Sequence, residues 1–195
     1  MTPGEAASDA DLAGRAATGD EHAFAMLVRR HKEPLYRLLR RYVGDRDEAY
    51  EAAHEAFIAA WAKMDSYDPT RPFGAWLRAI AINKARDRGR RMAFRRVFFG
   101  AKPLDDLPQA MARPDPATAA DDAAAEREDM ATLDRAIAAL PDSLKAPLLL
   151  TAFEGLSQQE AGDTLGVSAK AVETRVARAR KLLAERLGPA LRPRR

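Results

Sequence analysis

Three histidines, His22, His31 and His54, supply the imidazoles of this 195-residue chain, and it has no cysteine. None of the three stands in a ligand or nucleophile pattern. His54-Glu55 is not followed by the second histidine of a His-Glu-x-x-His zinc helix. The chain also lacks a Gly-x-Ser-x-Gly elbow, a phosphate-binding loop and a dinucleotide fingerprint. Without thiolates, a zinc site would need clustered His and acid residues, and the three histidines are scattered. We therefore expect no catalytic site, no metal and no cofactor, and the chain is not expected to be an enzyme. The residues whose type and spacing can still do chemistry are arginines and lysines, and that chemistry is polyanion binding.

Lys plus Arg number 32 against 29 Asp plus Glu, a formal charge of only +3, but the charges are not mixed. Lys84, Arg86, Arg88, Arg90, Arg91, Arg95, Arg96 and Lys102 face the single acid Asp87 over residues 84–102. Residues 103–134 then carry nine acids against Arg113 and Arg127, and residues 165–195 carry nine basic residues against Glu173 and Glu185. The blocks read +7, −7 and +7. Two basic surfaces separated by a segment that repels nucleic acid is the simplest physical reading.

The elements that must position these charges are helices. Apolar residues make up 47% of the chain, no stretch alternates with period two, and β-branched residues are sparse, so the fold class is all-α. No apolar run reaches the roughly 20 residues of a membrane span. Met1–Ala10 is polar and acidic, so neither an export signal nor membrane insertion is expected, and we expect a cytoplasmic location. Pro103, Pro108, Pro114 and Pro116, with abundant Ala and Asp, mark a flexible acidic linker. Two small helical domains result: residues 1–96 and 128–188, joined by residues 97–127 and followed by a basic tail, 189–195.

In the first domain, helices are expected at Asp9–Ala17 and from the Asp20 cap to Tyr42, with a kink or break at Pro34. The next starts at Asp45 and turns Ala49, Ala53, Ala56, Phe57, Ala60, Trp61 and Met64 to one face. Asp65–Pro72 reads as a loop, and Phe73–Arg91 as a helix with Trp76, Leu77, Ile80 and Ala81 inward. Ser66 and Tyr67 on that loop, with Asn83, Lys84, Arg86, Arg88, Arg90 and Arg91 beyond it, suit unpaired bases. Rings and amides engage the bases while cations hold the backbone.

In the second domain, Asp142 is expected to cap Ser143–Phe153, with Pro147 unusually deep in that helix. Ser157 with Glu160 forms a capping box for Gln158–Leu165. Gly166-Val167 makes a tight turn, and Ser168 caps a helix to about Leu187. Gly162 offers the small residue a close crossing needs, and Gly166 a left-handed turn. This is a helix-turn-helix, whose second helix enters the major groove. Its candidate DNA contacts are Ser168, Ala169, Lys170, Glu173, Thr174 and Arg175 toward bases, with Arg178, Arg180 and Lys181 toward phosphates.

The order of segments resembles a known family. The stretch from Asp45 through Ala49-Tyr50-Glu51-Ala52-Ala53-His54-Glu55 to Trp61 precedes Phe73-Gly74-Ala75-Trp76-Leu77 and Asn83-Lys84-Ala85-Arg86-Asp87. Leu140-Pro141, Phe153-Glu154-Gly155-Leu156-Ser157, Leu165-Gly166-Val167-Ser168 and Val172–Arg180 follow in the second half. Together these resemble regions 2 and 4 of bacterial sigma-70-family RNA polymerase sigma factors, in the short extracytoplasmic-function class.

The resemblance implies that the helix bearing Asp47, Glu48, Glu51, His54 and Glu55 docks on the clamp helices of core polymerase. It further implies that the Asp65–Pro72 loop and Asn83 with its arginines recognise and melt the −10 element. The second domain then reads the −35 element and docks on the polymerase flap. Promoter DNA, core RNA polymerase and an anti-sigma factor are the implied partners, and a stress or envelope-response regulon is the implied target. An operator-binding regulator acting without polymerase and a protein-binding helical adaptor are the readings left beside it.

Overall fold

The computed structural model describes residues 7–99 and 120–188 and, among these, shows eight α-helices and no strand. They are α1 (Asp9–Ala17), α2 (Glu21–Val43), α3 (Arg46–Trp61), α4 (Phe73–Phe99), α5 (Ala120–Ala138), α6 (Asp142–Ala152), α7 (Gln158–Leu165) and α8 (Ala169–Leu187). Local signals set most helix starts. Ser8 and Asp11 close a capping box at α1, and the Asp20 carboxylate accepts from the Ala23 amide at α2. At α3, Asp45 accepts from the amides of Asp47 and Glu48, both at 2.9 Å.

The first domain packs α2 against α3 and α4, with α1 laid on α2. Ala49, Ala52, Ala53, Ala56 and Ala60 bury one face of α3, and these short side chains let α2 and α4 approach closely. Leu27, Leu35, Leu38, Leu39 and Tyr42 of α2 and Phe73, Leu77, Ala81 and Ile82 of α4 fill the space between. Asp9 fastens α1 by accepting from Arg30 at 2.9 Å and pairing with His31 at 2.6 Å.

Four expectations are corrected. The helix α2 runs unbroken through Pro34, because buried leucines on both sides outweigh the one amide bond that proline removes. Trp61 does not join the core but stands 37% exposed, its ring 4.9 Å from that of Phe24. The helix α4 continues past Arg91 to Phe99, and α5 begins at Ala120, so residues 120–127, assigned to the linker, have helical backbone. Asp142 is the first residue of α6 rather than its cap. The preceding Pro141 carbonyl accepts from the Leu144 and Lys145 amides, and the Asp142 carboxylate instead faces Lys145 at 3.4 Å. The segments 1–6, 100–119 and 189–195, which include most of the acidic linker and the basic tail, lie outside the described residues.

The second domain is built around α6, whose Leu144, Ala146, Leu148, Leu149 and Leu150 are buried. Around it, α8 turns Val172, Val176, Ala179 and Leu183 inward at three- and four-residue steps. The two domains touch. Gly44, at φ 86°, ends α2 where α5 crosses it, and a Cβ there would lie 2.8 Å from that of Ala138. Arg41 donates to Asp134 at 3.1 Å and lies over the Phe153 ring at 4.5 Å, while Arg78 reaches Glu154 at 3.4 Å.

Candidate nucleic-acid interface

The helix-turn-helix is fixed by interactions local to residues 157–171. Ser157 and Glu160 form the reciprocal capping box at α7, with the Ser157 amide donating to the Glu160 carboxylate at 2.8 Å. The Ser157 side chain and amide hold the Glu160 carboxyl below its usual range. At the other end of α7, the Gly166 amide and the Val167 amide both donate to the Gly162 carbonyl, with Gly166 in the left-handed region at φ 66°. Gly162 is required by space: a Cβ there would meet the Val167 carbonyl oxygen at 2.6 Å. The turn itself, rather than the body of α8, presses on Gly162.

On α8, the Ser168 hydroxyl caps the helix by accepting from the Ala171 amide, and the Thr174 hydroxyl donates to the Lys170 carbonyl at 2.9 Å. Ala169 is half-buried. Lys170 pairs with Glu173 at 2.8 Å. Among the described residues no ion pair engages Arg175, Arg178, Arg180 or Lys181. Three of these are exposed and Arg175 is half-buried at the edge of the apolar stripe. The solvent side of α8 therefore carries four cations with no acidic partner among the described residues, on a helix whose entry is set by its cap and turn, a surface that fits a polyanionic groove.

The first domain differs. Tyr67 is not an exposed platform: its ring is buried against Phe73 and Trp76, with centroids 5.8 and 5.2 Å away, and its hydroxyl donates to the Arg71 carbonyl at 2.5 Å. Burial, with Asp9 and Asp68 nearby, raises its phenol above the usual value. Ser66 is exposed and donates to the Lys63 carbonyl at 2.7 Å. Asn83 is exposed beside the half-buried Lys84 and Arg86. Arg90 pairs with Asp87, while Arg88 lies between Glu48 and Glu55 of α3, donating to both. Its hydrogen bond to Glu48 raises the guanidinium further above its already high value, against the opposing effect of burial.

The helix α3 brings its five polar residues to one side. Asp47, Glu51 and His54 are exposed, and Glu48 and Glu55 are half-buried under Arg88. Beside them Tyr50 is 67% and Ile58 57% exposed, so this surface mixes acids with large apolar groups. The structure thus gathers the α3 residues expected to dock and the loop-to-α4 residues on adjoining faces, and keeps the α8 residues in the other domain.

Sequence reasoning missed the contacts between domains. Arg41–Asp134 and Arg78–Glu154 join residues 93 and 76 positions apart, and no periodicity marks such pairs. Lys145, nearly buried, stands 4.8 Å from the Tyr42 ring centre. Burial lowers the Lys145 ammonium, with Asp142 opposing. Burial likewise raises the Tyr42 phenol, whose hydroxyl lies near Asp142 and Arg86 without closing a hydrogen bond. Among the described residues no group of three His, Asp or Glu could hold a metal, and no helix is long and apolar enough to cross a membrane.

Comparison with known proteins agrees with this layout. Residues 27–95 match the family model for sigma-70 region 2, and residues 130–183 match that for sigma-70 region 4. The chain is 37% identical over 183 residues to the RNA polymerase sigma factor CnrH of Cupriavidus metallidurans, covering 94% of this chain and 95% of that one. It is 33% identical to the ECF RNA polymerase sigma factor SigW of Bacillus subtilis, over 87% of this chain and 91% of the other. A solved structure of CnrH in complex with the cytosolic domain of CnrY superposes with a TM-score of 0.66 at 32% identity, covering 92% of this chain and 96% of that one. The all-helical pair of domains, the helix-turn-helix and these relatives together place the chain in the sigma-70 family of RNA polymerase sigma factors, in its extracytoplasmic-function class.

Proposed function

We propose that the chain docks on core RNA polymerase through the exposed α3 surface and reads a −35 element with α8. The −10 strand is captured with Asn83, Lys84 and the α4 arginines. The observation that carries this reading is the open cationic surface of α8, formed by Arg175, Arg178, Arg180 and Lys181, on a helix whose entry is fixed by Ser168, Gly166 and Gly162. Arg175, in the second turn, stands where a groove-entering helix meets base edges, and the later cations stand where it meets phosphates.

The buried Tyr67 shifts the −10 role toward Asn83 and the basic side chains. Tyr67 then shapes the loop through its bond to Arg71. Separating strands costs a few kcal/mol per base, which cations along the displaced backbone and a receptive site for an unpaired base offset. The exposed Tyr50, Ile58 and Trp61 beside the α3 acids give an anti-sigma partner and polymerase a common surface to compete for. The test is reconstituted transcription from a promoter library. Core polymerase plus this chain starts transcripts at a subset of promoters that core alone ignores. Tight sequence-specific duplex binding by the chain alone, with no polymerase-dependent start sites, would instead establish an operator-binding regulator.

A further inference from the structure

The proposed DNA-binding and polymerase-docking faces share an ion-pair cluster. Arg88 stands among the basic residues of α4, and Glu48 and Glu55 among the docking acids of α3, one turn-pair apart on the same helix face. In the structure these groups are engaged with one another. The Arg88 Nε donates to Glu48, its Nη1 donates to Glu55 at 3.0 Å, and Arg91 approaches the other Glu55 oxygen at 3.9 Å. All three members of the fork are between a quarter and a third exposed, so each can be reached from solvent without unfolding. A guanidinium held between two carboxylates has little left to offer a phosphate, and carboxylates so held offer less charge to a cationic protein surface.

Resting on the reading of α3 and α4 given above, we infer that Glu48 and Glu55 mask Arg88 in the free chain, and that polymerase docking and single-strand capture exchange this partner. A cationic docking surface that engages Glu48 and Glu55 releases Arg88 to DNA. By linkage, DNA that draws Arg88 away frees the two acids for polymerase. The exchange makes docking and strand capture mutually reinforcing without any change of backbone, and it weakens unproductive DNA binding by the chain before it meets polymerase.

The probe is a fluorescent 12-nucleotide single strand titrated with the full-length chain by anisotropy, at about 50 mM and about 200 mM salt. Glu48→Gln with Glu55→Gln is expected to tighten binding about five-fold. Asp47→Asn with Glu51→Gln removes the same charge from the same helix at residues that pair with no arginine among the described residues, and is expected to change affinity less than two-fold. Arg88→Ala added to the Gln pair is expected to abolish the gain. An equal gain in the Asp47/Glu51 control, or a gain that survives Arg88→Ala, overturns the masking. Lys84→Ala with Arg91→Ala reports separately on the underlying reading. If that pair weakens binding while the Arg88 cycle is flat, only the exchange fails. If it changes nothing at either salt concentration, the assignment of α4 to DNA fails and the exchange with it. All substitutions are at exposed or half-exposed positions, and matched unfolding midpoints confirm that each variant is folded.

Discussion

The two basic stretches of the chain have the same net charge in sequence and differ in structure in how many of their cations already hold an acid. On α4, Arg78 is tied to Glu154, Arg88 to Glu48 and Glu55, Arg90 to Asp87 and Arg91 to Glu55. On α8, Arg175, Arg178, Arg180 and Lys181 have no such partner among the described residues, and only Lys170 is paired. Packing explains the difference. The helix α4 is flanked by α2, α3 and α7, and acids reach its sides from α3 and from Glu154 in the turn before α7. By contrast α8 buries a single stripe, Val172, Val176, Ala179 and Leu183, against apolar neighbours and leaves its other side to solvent. A count of charges therefore measures composition, and the neighbours of a helix decide how many of those charges a ligand meets.

The largest effect should come from destroying the frame that keeps α8 open. Gly162→Val forces a side chain into the Val167 carbonyl, 2.6 Å from the ideal Cβ, and backbone cannot give way as a flexible side chain would. We expect a loss of about 3 kcal/mol in urea unfolding, the upper end for overpacking, and loss of −35 duplex binding with it. Retained stability would mean that the turn can open, and the rigid presentation of α8 would then be wrong.

A smaller effect separates the two helices directly. Arg175→Ala should cost about 2 kcal/mol on a matched −35 duplex and relax specificity at one position. Arg178→Ala should weaken all sequences alike and reduce the slope of log affinity against log salt by about 1. Arg78→Ala, on the tied helix, should leave that slope unchanged. Equal slope changes from Arg78 and Arg178, measured in holoenzyme, would erase the contrast.

Much of this was legible in sequence where the interaction is local. The caps Ser157, Ser168, Asp20 and Asp45 and the Gly162–Gly166 turn follow from residue type and spacing, because their partners lie within four residues. Local signals failed where a longer-range contact competed. Asp142 looked like a cap but faces Lys145, which is itself buried beside the Tyr42 ring of the other domain. Pro34 looked like a kink or a break, but burial on either side of it keeps the helix unbroken. Tyr67 looked like a surface ring because it lies in a polar loop, and only the fold shows that Phe73 and Trp76 enclose it. The same limit applies to the cations: spacing shows that Arg88 is on a basic helix, and nothing in spacing shows that α3 brings two acids to it.

The contacts between domains give the finest test, because the tied arginines there should be only weakly tied. Arg41 and Asp134 are about a quarter exposed, and the Arg78–Glu154 distance of 3.4 Å is long for a charge-assisted bond. Pairs in such surroundings contribute about 0.5–1 kcal/mol each. Asp134→Asn and Glu154→Gln should therefore each shift the balance between touching and separated domains by less than tenfold, read by energy transfer between labels on α1 and α8. Asp134→Asn should have the smaller effect, since Arg41 keeps its place over the Phe153 ring at 4.5 Å when the carboxylate is gone. Arg41→Ala removes both contacts and should exceed Asp134→Asn. Raising salt should move the parent in the same direction as these substitutions, because partly exposed pairs are screened. If neither substitution nor salt changes the separation, the close packing of Gly44 on Ala138 and the burial of Lys145 hold the domains together, and the two ion pairs add nothing to that hold.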